Sequence, residues 1–174
     1  YSLEFAERLC HQIEGFGKYG FPESHAASFA LLVYFSAWIK CHIPAAFYCG
    51  LLNAQPMGFY TPSQLLQDAH RHSIEIRPID VNTSEWLSTL EDAEGLPCIR
   101  LGLHLIKGFK FEAARRLIQT RNRPFQNLND FRIRTGLSTP DLETLASAHA
   151  FRVLTDHRFD SFWQLGNQES QHPL

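Results

Sequence analysis

From Ser24 to Gln67 the chain carries a single formally charged residue, Lys40. Forty-four residues so poor in charge must be either buried or placed in lipid, and proline decides between the two. Pro44, Pro56 and Pro62, with Gly50, Gly58 and several His, Asn and Gln, interrupt every apolar run before it reaches the ~20 residues a membrane-crossing helix needs. The stretch is therefore expected to form helices buried in a protein core. With 174 residues, 44% hydrophobic and 20% charged, the chain is long enough for such a core, and disordered, collagen-like and coiled-coil classes are excluded.

The average charge, −2, hides a strong segregation. Residues 1–95 hold 5 Lys or Arg against 11 Asp or Glu, residues 96–134 hold 9 against 2, and residues 135–174 hold 2 against 5. One short basic stretch thus stands between two acidic flanks, a pattern that points to a polyanion partner or to a solvated helix face. The four cysteines, Cys10, Cys41, Cys49 and Cys98, show no metal-ligand spacing and are too few for a disulfide framework, so reduced, mostly buried thiols in a cytoplasmic protein are expected. Tyr1 to Gln12, with Glu4, Glu7 and Arg8, reads as an amphipathic helix and not as a cleavable signal.

Periodicity and punctuation predict a mainly α chain with a small β element. A helix is expected from Ser2 to Glu14, then a loop from Gly15 to Glu23, then a helix capped by Ser24 and running to Cys41. Pro44 opens a third helix, stopped by Pro56 and Gly58, and Thr61 with Pro62 opens a fourth, to His72. Ile74 to Ile79 reads as a short edge strand because Pro78 lacks an N–H. Trp86–Leu90 and Cys98–Leu101 pair as a hairpin around an acidic loop, Glu91 to Gly95, inside a boundary region at 83–96. Helices follow at Phe111–Thr120, at Leu128–Thr135 with Gly136 as its C-cap, and from Thr139–Pro140 through Ala146. A polar tail, residues 161–174, ends the chain and is expected to be mobile from Gly166 onward.

Several motifs fail on context. Gly15, Gly17 and Gly20 spell GxGxxG, but a helix precedes them and no acid stands about twenty residues on, so a dinucleotide site is not expected. Ser24 beside His25 lacks a nucleophile elbow, and His70 and His72 fall on different helix faces. Asp80 stands beside the expected strand, while Glu91, Asp92 and Glu94 fall in the expected loop, and no group of acids forms, so no catalytic residues and no metal ligands are assigned. The basic stretch is more specific. Leu105 to Phe109 reads as a hairpin feeding a helix: Gly108 adopts positive φ cheaply, and the first N–H groups of the next helix lack internal partners. Those donors and the positive end of the helix dipole suit one phosphate. Lys107 and Lys110 flank that site, and Arg115, Arg116, Arg121 and Arg123 add charge beyond it.

At this point the sequence resembles a known family along nearly its whole length, the bacterial C-family DNA polymerases, and within it the error-prone branch. The segment GKYGFPESHAASFALL at Gly17–Leu32 is similar to the family's fingers, and IKCHIPAAFYCGLLNAQPMGFY at Ile39–Tyr60 continues it. RPIDVN at Arg77–Asn82 and RLGLHLIKGF at Arg100–Phe109 follow in the family's order. The resemblance implies that residues 1–82 are the end of the fingers and that 97–160 form a tandem helix-hairpin-helix region gripping duplex DNA without reading sequence. It implies Lys107, Gly108, Phe109, Lys110, Arg115, Arg116, Arg121 and Arg123 as DNA contacts, and Lys18, Ser24 and His25 as contacts to the incoming deoxynucleotide triphosphate. The catalytic carboxylates and their Mg²⁺ would belong to the palm of the intact enzyme, ahead of Tyr1, and no cofactor is expected in this chain. Accessory polymerase or clamp proteins are the further partners the resemblance suggests, and DNA synthesis with damage tolerance is the activity. The alternative from the residues alone is a non-catalytic helical module that binds a protein. Two positions depart from the family pattern: Lys110 replaces the second glycine of the usual hairpin, and His149 stands where a glycine often closes the second motif.

Overall fold

The computed structural model describes residues 2–18 and 23–155, with side-chain detail for 2–15 and 25–155. Two compact units divide the chain between His42 and Ile43. The first contains α1 (Leu3–Lys18) and α2 (Glu23–His42). α1 runs four residues further than expected, through Gly15 and Gly17, so two of the three motif glycines lie in helix and not in a loop. Glycine costs about 1 kcal/mol in a helix interior, which neighbouring turns can absorb. Ser24, expected as an N-cap, lies one residue inside α2.

α2 corrects a larger expectation. Its apolar residues are distributed around the whole helix, yet Leu31, Leu32, Val33, Tyr34 and Phe35 are all more than half exposed. The burial expected for the charge-poor stretch holds only for its second part. α3 (Pro44–Asn53) buries Ala45, Tyr48, Cys49 and Leu52 against Leu65 and Ala69 of α4 (Pro62–Arg71) and against Ile74 and Ile99. α4 starts as the sequence indicates: the Thr61 side chain accepts from the Gln64 backbone N–H, and the Gln64 side chain accepts from that of Thr61. The cysteines divide evenly, Cys49 and Cys98 buried, Cys10 and Cys41 exposed, all four free.

The sheet joins this core to a second one. β1 (Ile76–Arg77) lies parallel to β3 (Leu96–Arg100), which in turn lies antiparallel to β2 (Thr89–Ala93), giving the order β1-β3-β2. The register sets Ile76 opposite Ile99 and Arg77 opposite Arg100, and it sets Glu91 opposite Cys98. The hairpin exists, but later than expected: Glu91 and Asp92 are strand residues, and only Glu94 (φ 55°) and Gly95 (φ 87°) make the turn. Two central residues at positive φ match the twist of the flanking strands, which favours this two-residue connection over a long loop. β1 is shorter than expected: the Leu101 carbonyl, next along β3, accepts from the Ser84 hydroxyl and not from a further strand residue.

From Gly102 the chain enters the second core. Its path is a 3₁₀ turn at Leu103–Leu105, then α5 (Phe111–Thr120), α6 (Leu128–Thr135) and α7 (Thr139–Ser147). α5 and α6 match their expected bounds, and Gly136 (φ 56°) closes α6 in the left-handed region as anticipated. Ala114 and Leu117 of α5, Phe131 of α6 and Leu145 of α7 are fully buried with Leu103 and Val81. Phe125, Phe131 and Phe151 stack edge to face with centroids 4.8 and 5.1 Å apart. Residues beyond Thr155, which include the tail, lie outside the described residues.

Candidate nucleic-acid interface

The first hairpin is built from Ile106 to Lys110. Phe109 N–H donates to the Ile106 carbonyl at 3.2 Å, and Gly108 turns the chain at φ 84°, as its place in the sequence anticipated. An L side chain there would be strained, although no atom blocks a Cβ. Lys110 is the N-cap of α5 in extended conformation (φ −88°, ψ 146°), and no side chain caps that helix end. α6 and α7 differ. The Asn127 side chain accepts from the Asp130 N–H, and Ser138 accepts from the Asp141 N–H while donating to the Asp141 carboxylate at 2.6 Å. Of the three helix starts, only α5 leaves its donors without an internal cap, so it alone keeps them free for an outside anion.

A second hairpin, Gly136 to Ser138, faces the first across a groove. Gly108, Lys110, Glu112 and Arg116 line one wall; Leu137, Ser138 and Asp141 line the other. Arg116 ties the walls together, its guanidinium donating to the Gly136 carbonyl at 3.2 Å. Lys107 lies exposed on an adjacent depression with Ile106, Thr144 and Ser147. Gly136, expected as the C-cap of α6, also opens this second turn. The run Thr-Gly-Leu-Ser-Thr-Pro at 135–140 carries a hairpin signal, a positive-φ glycine followed by a capping serine and a proline at the helix start.

The expected contact residues separate into two groups. Lys107, Gly108, Lys110, Arg115 and Arg116 are exposed on or beside the hairpins, and Arg123 is exposed with its guanidinium 3.9 Å from Asp130. Phe109 is 6% exposed and belongs to the second core, so its side chain fixes the hairpin from beneath. Arg121 is turned inward. Its guanidinium pairs with Glu85 and donates to the Ser84 carbonyl at 2.8 Å, which fastens α5 to the segment after β1. Both residues therefore hold the hairpin in place and leave surface chemistry to their neighbours. Arg134 does similar work: it donates to the carbonyls of Thr120 and Arg123 and to Asp130, and lies 4.3 Å from the Phe125 ring centre. Asp130 accepts from the Gln126 backbone N–H and from Arg134, and these donors hold its carboxyl below the usual range.

Of the residues expected to meet a nucleotide, Lys18 ends α1 and Ser24 lies in the first turn of α2, both beyond the described side chains. His25 is exposed and stacks on Phe29 at 4.4 Å, one turn along the same helix. Among the described residues, no three His, Cys, Asp or Glu side chains gather as a metal site. Among the same residues, no helix is long and apolar enough to cross a membrane.

Comparison with known proteins agrees with this geometry. Residues 73–161 match the family model described as a helix-hairpin-helix motif. The whole chain is 55% identical to the error-prone DNA polymerase of Alkalilimnicola ehrlichii and covers 17% of that protein. It is 50% identical over its whole length to the error-prone DNA polymerase of Methylococcus capsulatus, covering 18% of it. The corresponding protein of Aromatoleum aromaticum is 57% identical over 94% of the chain, which covers 16% of it. The chain thus spans less than a fifth of the length of these relatives.

Proposed function

The chain belongs to the helix-hairpin-helix family, and from that membership and its end-to-end similarity to error-prone DNA polymerases we propose that it grips duplex DNA by the phosphate backbone within such a polymerase. The observation that carries this reading is the uncapped start of α5 behind Gly108, set beside Lys107 and Lys110 and linked by Arg116 to a second hairpin. Backbone donors and flexible lysines neutralise phosphates but present no shape matched to base edges, so the grip is indifferent to sequence. Glu112 and Asp141 share the groove with Lys110 and Arg116, which confines the anion to the hairpin backbone and its lysines.

In this reading residues 97–160 hold the duplex behind the site of synthesis, and residues 1–82 belong to the fingers. Lys18, Ser24 and His25 then face the incoming deoxynucleotide triphosphate. The carboxylates and Mg²⁺ of phosphoryl transfer belong to a palm, so the 174-residue chain alone extends no primer. DNA synthesis across damage and contacts with accessory or clamp proteins belong to the same proposal. The exposed apolar surface of α2 favours a second reading, a helical protein-interaction module.

Salt separates the two readings. If about three phosphates are neutralised, log K falls with log salt at a slope of roughly −3, from ~0.9 per phosphate. Lys107→Ala reduces that slope by about one unit and weakens all duplexes alike. Gly108→Val weakens binding further, because a β-branched residue resists φ 84° and would displace the donors. Binding that ignores salt, or a Lys107→Ala variant that loses affinity for only some sequences, overturns the DNA reading in favour of the protein module.

A further inference from the structure

His104 joins three parts of the second unit. It lies in the 3₁₀ turn, two residues before Ile106, where the first hairpin begins. Its backbone N–H donates to the Trp86 carbonyl at 2.9 Å, its ring Nδ1 lies 2.8 Å from the same oxygen, and its ring Nε2 lies 3.1 Å from the Leu52 carbonyl oxygen of α3. A carbonyl oxygen only accepts, and a neutral imidazole has a single N–H. In the neutral form one ring nitrogen would turn its lone pair on a carbonyl oxygen at hydrogen-bond distance. The imidazolium, with an N–H on each nitrogen, serves both acceptors. A second observation points the same way. Leu52 is the last but one residue of α3, a helix with no basic residue in its last turn. The carbonyls at that end carry the negative pole of the helix dipole, which favours a cation, and His104 brings one from a distant part of the chain.

We infer that His104 is a proton-operated clamp: as the imidazolium it bridges the end of α3 to the Trp86 segment and fixes the entry to the Lys107–Lys110 hairpin, and loss of the second proton releases one side. The clamp touches no ligand and acts through the backbone it holds, so the inference stands whatever the hairpin grips. The ionisable groups on the packed elements are engaged elsewhere. On α3, Tyr48 donates to Asp68 and lies 3.1 Å from His72, and the Cys49 thiol donates to the Ser88 carbonyl. Beside Trp86, Glu85 pairs with Arg121, and toward the hairpin Lys107 is exposed. Among the described residues the His104 ring meets these two carbonyls and, at 6.1 Å, the Trp86 ring, with no carboxylate partner. Only the folded chain brings the two carbonyls to one ring, so proton uptake and folding support each other. The contribution is complete below the ordinary imidazole value, about 6.5, and is lost at higher pH.

Ring ¹⁵N spectra of the whole chain, labelled at histidine and assigned through bonds to the backbone, read the protonation of each ring nitrogen as pH rises. His104 is expected to keep an N–H on both nitrogens and to lose the second proton about one pH unit later than an unconstrained histidine. A second proton lost no later than that, or an unprotonated ring nitrogen facing either carbonyl throughout, overturns the clamp. Urea unfolding of His104→Asn supplies the energetic arm. Asparagine keeps an amide donor near the Nδ1 position but does not reach Leu52 and takes up no proton. The parent's advantage over this variant in folding equilibrium constant should therefore be about tenfold larger at about pH 5.5 than at about pH 9, the worth of one charge-assisted hydrogen bond. The remaining histidines are common to both proteins and cancel in that comparison. An advantage equal at the two pH values overturns the inference, and if His104→Asn does not fold, the spectra of the parent decide alone.

Discussion

Gly102 sits where β3 leaves the sheet and enters the second core, and replacing it with alanine should unsettle both. A Cβ built there meets the Leu87 carbonyl carbon at 2.3 Å, the Ser88 nitrogen at 2.4 Å and the Trp86 oxygen at 2.6 Å, all backbone atoms. Ordinary contact begins near 3.4 Å, so the Trp86–Ser88 segment that leads into β2 would have to retreat by about 0.8 to 1.1 Å. That segment has little freedom to do so. The Ser88 hydroxyl accepts from the Gly102 N–H, Ser88 N–H donates to the Asn53 side chain, and the Ser88 carbonyl accepts from that side chain and from the Cys49 thiol. Overpacking typically costs 1–3 kcal/mol, and a clash with pinned backbone belongs at the top of that range, about 3 kcal/mol. At roughly 2–4 °C per kcal/mol for a chain of this size, Gly102→Ala should melt about 6 to 12 °C lower by circular dichroism. Gly50→Ala is the control: it lies in α3 with no atom within 4 Å of its Cβ, so it should gain about 0.5–1 kcal/mol. A Gly102→Ala protein that melts within about 2 °C of the parent would refute the argument from backbone contact.

Three further tests address separate links. Arg134→Met removes the donors that close the α5–α6 connection and leaves Asp130 without its nearest cation, so urea unfolding should show a loss of about 2–4 kcal/mol, whereas the exposed Arg123→Ala should stay within ~0.5 kcal/mol. Arg100 first, and then Arg77, hold the Glu91 carboxyl below its ordinary value. A folded-state value below the unfolded one contributes stability that is complete above about pH 4.3 and disappears as pH falls through the lowered value. Glu91→Gln should therefore be less stable than the parent at neutral pH and converge with it on acidification; parallel stability profiles would contradict this. His149 stands at φ 57°, a conformation that costs a non-glycine residue about 1 kcal/mol, so His149→Gly should raise the melting temperature with little change elsewhere.

Elements with local signals were readable from the sequence. Thr61 with Pro62, Leu128 to Thr135 followed by Gly136, and the turn at Gly108 each carry their instructions within a few residues, and the structure places them as expected. What depends on distant partners was not. Glu91 and Asp92 look like loop residues until Arg77 and Arg100 flank Glu91 across the sheet. Arg121 and Arg123 are chemically identical and two positions apart, yet Glu85 draws the first inward while the second stays exposed. An apolar helix announces that it should be covered, but composition carries no address for the cover, and Leu31 to Phe35 of α2 are more than half exposed. The turn at Gly108 and the exposure of Lys107 and Lys110 were legible because the hairpin is local. Its counterpart at Gly136–Ser138 was overlooked because a single glycine both ends one helix and opens the next turn.

The parallel pairing of β1 with β3 has a consequence for anyone exchanging segments between relatives. A junction placed at residues 83–96 looks natural, since it separates the helical first half from the basic second half. It would nevertheless inherit Ile76 and Arg77 from one parent and Ile99 and Arg100 from the other, and these are register partners in one small sheet. Glu91, which takes a guanidinium from each side of that junction, would meet arginines set by two different backbones. A working chimaera must therefore transplant the three strands as a set, and a junction at His42–Ile43 does so: it falls between the compact units and leaves the sheet with a single parent.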